Sequence, residues 1–342
     1  MYSKRNFPGV TVLLMAFLLT LVMGCKNDKS EDKPDTPTVE KPPVKVPPFN
    51  RDSAYTFVQR QVDFGPRVMG SKGHEDCKNW IIGKMRSYGM EITEQNFEAA
   101  VYTGDKFPAT NIIAKYKPDN TNRIVLAAHW DTRHIADSDL STRDQDKPIL
   151  GADDGGSGVG VLIELARQFS IDGPDMGVDF VFLDAEDYGD STDPEPTEEA
   201  EIEKRQNSWA IGAQYYAHNF SGIRPKYGIL LDMVGSAGAT FHKEDVSMHF
   251  APGLVNGIWS TAIKMGYGTY FINKQEGFAF DDHYFINTIA NIPMVDIINM
   301  KDKKFGAHWH THDDNMKVID RNTLRAVGQV LLAVVYRDEL SI

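Results

Sequence analysis

The run Arg123-Ile124-Val125-Leu126-Ala127-Ala128, followed at once by His129-Trp130-Asp131, decides how the rest of the chain is read. After its arginine the run is uninterrupted by any polar residue. It is too short for a buried helix and suits a strand covered on both faces. The pattern recurs. Val178 to Leu183 reads as a second buried strand, Gly228 to Leu231 as a third and Ile292 to Ile298 as a fourth. Between and around them lie helical stretches. One spans Ser53 to Phe64, and another runs from an N-cap at Ser71 to Tyr88, with Gly89 as its stop. Val159 to Phe169 and Thr323 to Tyr336 are two more. Apolar strands alternating with helices predict an α/β fold: a single three-layer domain, with a mostly parallel central sheet and helices on both faces. No internal repeat and no second domain are visible.

Reactive side chains cluster where these strands stop. His129 and Asp131 follow the first strand, Glu186 and Asp187 the second, and Asp232 closes the third. Asp153 and Asp154 sit in a Gly-rich turn leading into a helix. The working crevice of an open α/β sheet lies at the carboxyl ends of its strands, so these groups converge on one edge. A solvated loop explains any one of them but not all, because each directly follows an apolar run. Neutral imidazole and carboxylate are ordinary zinc ligands, and catalytic sites use three of them plus an open position. The adjacent pair Glu186-Asp187 adds to this. Neighbouring side chains at a strand end point in different directions, so one can hold a metal while the other faces substrate as a base. Asp153-Asp154-Gly155-Gly156 taken alone suggests a calcium loop, but it lacks the alternating oxygen ligands of one.

Composition bounds the alternatives. Of 342 residues 42% are hydrophobic and 25% charged, and the net charge of −12 argues against a nucleic-acid partner. Lys4 and Arg5, the apolar stretch Val10 to Met23, and Gly24-Cys25 resemble a bacterial lipoprotein leader. Residues 1–24 then form the signal peptide, and Cys25 becomes the lipidated first residue. An ordinary signal peptide or a single membrane anchor is the alternative, although the apolar run is short for a span. From Cys25 to Pro48 the chain is rich in Pro and charge and reads as a tether. The catalytic domain is expected over 49–342. Cys77, the only other cysteine, reads as a structural thiol.

Four segments together resemble the zinc aminopeptidase superfamily, peptidase family M28. They are Ala128-His129-Trp130-Asp131, Gly151-Ala152-Asp153-Asp154-Gly155-Gly156-Ser157-Gly158, Leu183-Asp184-Ala185-Glu186-Asp187 and Leu231-Asp232-Met233-Val234-Gly235. Within that superfamily, Asp281-Asp282-His283 and Trp309-His310-Thr311-His312-Asp313-Asp314-Asn315 resemble the animal-type glutaminyl cyclases, where peptidases usually carry serine in place of Asp281. Ser208-Trp209-Ala210-Ile211-Gly212 is similar to bacterial members of the cyclase group.

The resemblance implies one zinc ion, held by Asp153, Asp187 and His310. It implies Glu186 as general acid/base, Asp232 and Asp281 as supporting carboxylates, and Trp309 as a pocket wall. His129 and Asp131 are possible second-metal or outer-shell residues, so a second zinc stays open. Two departures stand out: Asp187 replaces the glutamate common in animal cyclases, and Asp296 stands near their histidine. The expected reaction converts the N-terminal glutamine of peptides or proteins to pyroglutamate with loss of ammonia. The expected location is the bacterial cell envelope, periplasmic or outer-membrane face, held through lipidated Cys25. A two-zinc aminopeptidase is the main alternative, and a non-catalytic binding protein on the same fold is another. The acidic stretch Asp190 to Glu203 reads as a solvated insertion, with a lid as the alternative.

Overall fold

The computed structural model describes residues 44–192, 196–338 and 340. The leader assigned to 1–24, Cys25 and most of the tether lie outside the described residues.

The chain enters through α1 (Arg51–Val62), capped by Asn50, and α2 (Lys72–Ser87), capped by Ser71, whose hydroxyl accepts from the His74 amide. Two long strands follow, β1 (Glu91–Ala100) and β2 (Lys106–Tyr116), and then β3 (Arg123–His129). Next come α3 (Gly156–Asp172), β4 (Gly177–Leu183), α4 (Glu199–Gln206), α5 (Ile211–His218) and β5 (Gly228–Asp232). Short β6 (Phe241–Lys243) and β7 (Phe271–Gln275) pair in a small separate sheet around α6 (Asp245–Phe250) and α7 (Pro252–Lys264). The last elements are α8 (Asp282–Phe285), β8 (Met294–Ile298) and α9 (Arg321–Arg337).

The main sheet has six strands in the order β1-β2-β4-β3-β5-β8. β4, β3, β5 and β8 are mutually parallel, while β1 and β2 join antiparallel at one edge. The expected α/β class holds, with a mixed edge. Sequence reading missed β1 for a physical reason. Its Glu, Thr, Gln and Asn residues form an edge strand with a mostly solvated pattern and no apolar run to detect.

Alternation along β3 splits the core in two. Ile124, Leu126 and Ala128 pack with α1, α2, α3 and α9 on one face, and Val125 and Ala127 meet α5 and the α8 region on the other. Cys77 is fully buried in the first layer, where burial pushes its thiol up to about 12. β3 has β4 on one side and β5 on the other, so the chain reverses winding direction beside His129. That is where a crevice opens in such sheets.

Candidate active site

Three strand ends, one helix cap and one late loop deliver the side chains. His129 ends β3, Glu186 and Asp187 follow β4, Asp232 ends β5, and Asp281 caps α8. His310 arrives on the loop after β8. Ala185, Met233 and His310 lie in or beside the site with φ of 57°, 48° and 53°. Such left-handed backbone in non-glycine residues is tolerated where the surroundings impose it, and it clusters at functional sites.

Two groups of ligand-type atoms converge, and they share one residue. Asp154, Asp187 and His310 form the first, and His129, Asp154 and Asp232 the second. His310 Nε2 lies 3.1 Å from Asp187 Oδ1 and 3.8 Å from Asp154 Oδ2. His129 Nε2 lies 2.9 Å from Asp154 Oδ1 and 3.3 Å from Asp232 Oδ1. The expected ligand Asp153 is not in either group, and Asp154 stands in its place. The Asp153 carboxylate is turned away and already occupied, accepting from the Gly235 amide at 2.7 Å and meeting His308 Nε2 at 2.8 Å. Asp314 fixes this arrangement by accepting from the amides of both Asp153 and Asp154, at 2.8 and 3.1 Å.

The donor set fits a cation. Both ring nitrogens of His129, both carboxylate oxygens of Asp187 and Oδ1 of Asp232 are buried without a hydrogen-bond partner among the described residues. Their close neighbours are other lone-pair atoms, not aligned donors. Buried polar atoms are rarely left so, and imidazole nitrogens converging with carboxylate oxygens are what zinc takes. Burial lowers the pKa of His310, but Asp187 and Asp137 outweigh it and raise it to about 9.

Asp131 stands behind the ring. Its two oxygens accept from the amides of Glu186 and Asp187, both at 3.2 Å, and its Oδ1 lies 3.5 Å from His129 Nδ1. Glu186 Oε2 is 3.9 Å from His129 Nδ1, and burial raises the Glu186 pKa well above its ordinary value. Asp187, Asp281 and Asp282 add to that shift, while His129 opposes it. Asp232 is raised for the same first reason, with Asp154 and Asp281 adding.

A cavity of about 320 Å³ opens on the ring. Asp154, Glu186, Asp187, Asp232, Asp281 and His310 line its floor, and Trp209, Trp309, Met233, Phe280 and Phe305 line its walls. The Trp309 ring lies flat on His310, with centroids 3.8 Å apart and planes at 18°. Arg205 and Gln206, at the end of the acidic insertion, also reach the cavity. His308 supports Asp153, and His312 is half-buried, with Nε2 at 3.0 Å from the Asp144 carbonyl. His283 lies buried behind Asp281, with Nε2 3.2 Å from Glu244 Oε1 and Nδ1 3.9 Å from Asp296 Oδ2. Sequence reading missed Asp154 as the convergent carboxylate, Trp209 as a wall, and Arg133 and Asp137 behind His310. Trp209 was visible beside the acidic loop, whereas Arg133 and Asp137 carried no signal beyond opposite charge four residues apart.

A mixed sheet with a carboxylate–imidazole ring at its parallel strand ends defines a zinc-exopeptidase-like protein. Residues 111–335 match the model of peptidase family M28, and the chain belongs to that family. The glutaminyl cyclase of Bacteroides thetaiotaomicron, solved with N-acetylhistamine, is 45% identical, with a TM-score of 0.81 over 85% of this chain and 99% of that one. A leucine aminopeptidase precursor from the same species has the same identity and TM-score, 45% and 0.81, over 86% and 99%. The glutaminyl-peptide cyclotransferase of Drosophila melanogaster is 22% identical over 75% of this chain and 73% of its own length. Zinc is the metal this family implies.

Proposed function

We propose that the protein is a glutaminyl-peptide cyclotransferase. One observation carries the reading: Asp281 joins Glu186 and Asp232 on the floor of a cavity whose wall, Trp309, is stacked on His310. Three carboxylates facing one small cavity suit a substrate that brings a free α-amine. The flat aromatic wall suits the planar amide of a glutamine side chain. The similarity to bacterial glutaminyl cyclases supports the same reading.

Asp154, Asp187 and His310 would hold the zinc, with Asp154 replacing the Asp153 expected from sequence. Bound there, zinc supplies Lewis-acid polarisation of the side-chain amide carbonyl. Asp232 and Asp281 hold the α-amine at the cavity floor. Glu186 accepts a proton from that amine as the nitrogen attacks the side-chain carbonyl carbon. It then returns a proton to the leaving nitrogen, so the C–N bond of the amide breaks, a lactam closes and ammonia departs. Desolvation raises the Glu186 pKa, which strengthens its carboxylate as the proton acceptor of the first half of that cycle. Because nucleophile and electrophile belong to one molecule, most of the barrier reduction is orientation and charge placement.

The test is to offer glutaminyl and leucyl peptides in parallel and weigh the products. Expected is a loss of about 17 Da from glutaminyl peptides and no release of free leucine. Glu186→Gln is expected to lower turnover by about two to four orders of magnitude with zinc content unchanged. The group His129, Asp154 and Asp232 favours a second reading, a two-zinc aminopeptidase. Efficient trimming of leucyl peptides with glutaminyl ones left uncyclised would establish that reading instead.

A further inference from the structure

The geometry points to Asp137, clamped by Arg133, as the positioning residue that aims His310 at the metal; this inference rests on the zinc reading above. His310 Nδ1 lies 2.8 Å from Asp137 Oδ1. A carboxylate accepts only, so Nδ1 carries the hydrogen and Nε2 is left with its lone pair free for a cation shared with Asp154 and Asp187. The tautomer and the tilt of the ring are therefore set from behind. The stacked Trp309 face fixes only the plane.

Asp137 sits on an irregular loop, and alone it would be a poor anchor. Arg133 supplies the anchor. Its Nε lies 3.2 Å from both Asp137 oxygens and its Nη2 2.5 Å from Oδ2. The guanidinium is fully buried, and a buried charge is stable only when its donors are satisfied. Nη1 donates to the carbonyls of Asp187 and Gly189, at 3.0 and 2.9 Å. Nη2 also donates to Ser191 Oγ at 2.8 Å, and that hydroxyl donates in turn to Asp137. The Trp209 ring covers the guanidinium, with 4.6 Å from Cζ to the ring centroid.

One cation thus ties together two ligand-bearing segments that are far apart in sequence. It holds the backbone of Asp187 directly and His310 through Asp137. It also fastens the start of the acidic insertion, at Ser191, to the same hub. A rigid shell of this kind sets metal affinity because the ligands need not be reordered on binding.

The experiment compares wild type, Asp137→Asn and Asp137→Ala, each purified, stripped of metal and reloaded. Zinc affinity is read by competition with a chromogenic chelator, and ligand geometry by the visible absorption of the cobalt-substituted protein. Asp137→Ala is expected to bind zinc about 10- to 100-fold more weakly, with an altered cobalt spectrum. Asp137→Asn keeps an acceptor oxygen and is expected to fall between it and wild type. Should Asp137→Ala fail to fold, the few-fold loss and spectral change of Asp137→Asn decide. Wild-type affinity and an unchanged spectrum in the variants would overturn the positioning role. A wild-type protein that holds no zinc would overturn the metal reading itself.

Discussion

At the scale of single residues, the instructive pair is Asp153 and Asp154. They are adjacent, chemically identical and both buried. Which one faces the ring depends on groups remote in sequence: Gly235 and His308 take up Asp153, and Asp314 pins the turn through both amides. The two substitutions should therefore part company. Asp154→Asn removes a charge shared by both ligand groups, so zinc content and turnover should fall together. Asp153→Asn keeps an oxygen able to accept from Gly235, so the protein should retain its zinc. Metal analysis of the two purified variants checks this, and zinc lost from Asp153→Asn but kept in Asp154→Asn would reverse the assignment. Strand-end placement of His129, Glu186, Asp187 and Asp232 was legible in the sequence because each follows an apolar run. The choice between neighbours was not, because it is made by tertiary hydrogen bonds.

At the scale of elements, the same contrast separates the four parallel strands from the edge hairpin. Buried strands announce themselves as apolar runs, whereas β1 and β2 depend on pairing that single residues do not display. The Gly-rich turn shows what the sequence holds in compressed form. α3 starts at Gly156 and leans on the sheet so closely that a Cβ at Gly158 would lie 2.4 Å from the Leu231 carbonyl and 2.9 Å from the Ala128 Cβ. Those two neighbours precede Asp232 and His129. Gly158 thus sets the distance between the turn bearing Asp154 and the strand ends bearing its partners. Gly158→Val must push the helix off the sheet. Overpacking of this kind costs about 1–3 kcal/mol, so the denaturation midpoint should fall. Zinc affinity should fall with it, because Asp154 moves away from His129 and Asp232. A variant of wild-type stability and wild-type metal affinity would show that the helix is free to yield there.

For the whole molecule, the open question is where the catalytic body works. We propose that it is tethered to a membrane through lipid on Cys25. No helix among the described residues is long and apolar enough to cross a bilayer. What supports the anchor is the sequence: the apolar stretch Val10 to Met23, then Gly24 and Cys25. A single acyl chain gives only marginal membrane binding, so stable retention requires a second membrane-binding signal beside it. Cells grown with a labelled fatty acid should yield tagged wild-type protein in the membrane fraction. Cys25→Ala should be untagged, while its purified catalytic body should cyclise glutaminyl peptides as before. Equal tagging of the two proteins would place the lipid elsewhere or remove it from the account.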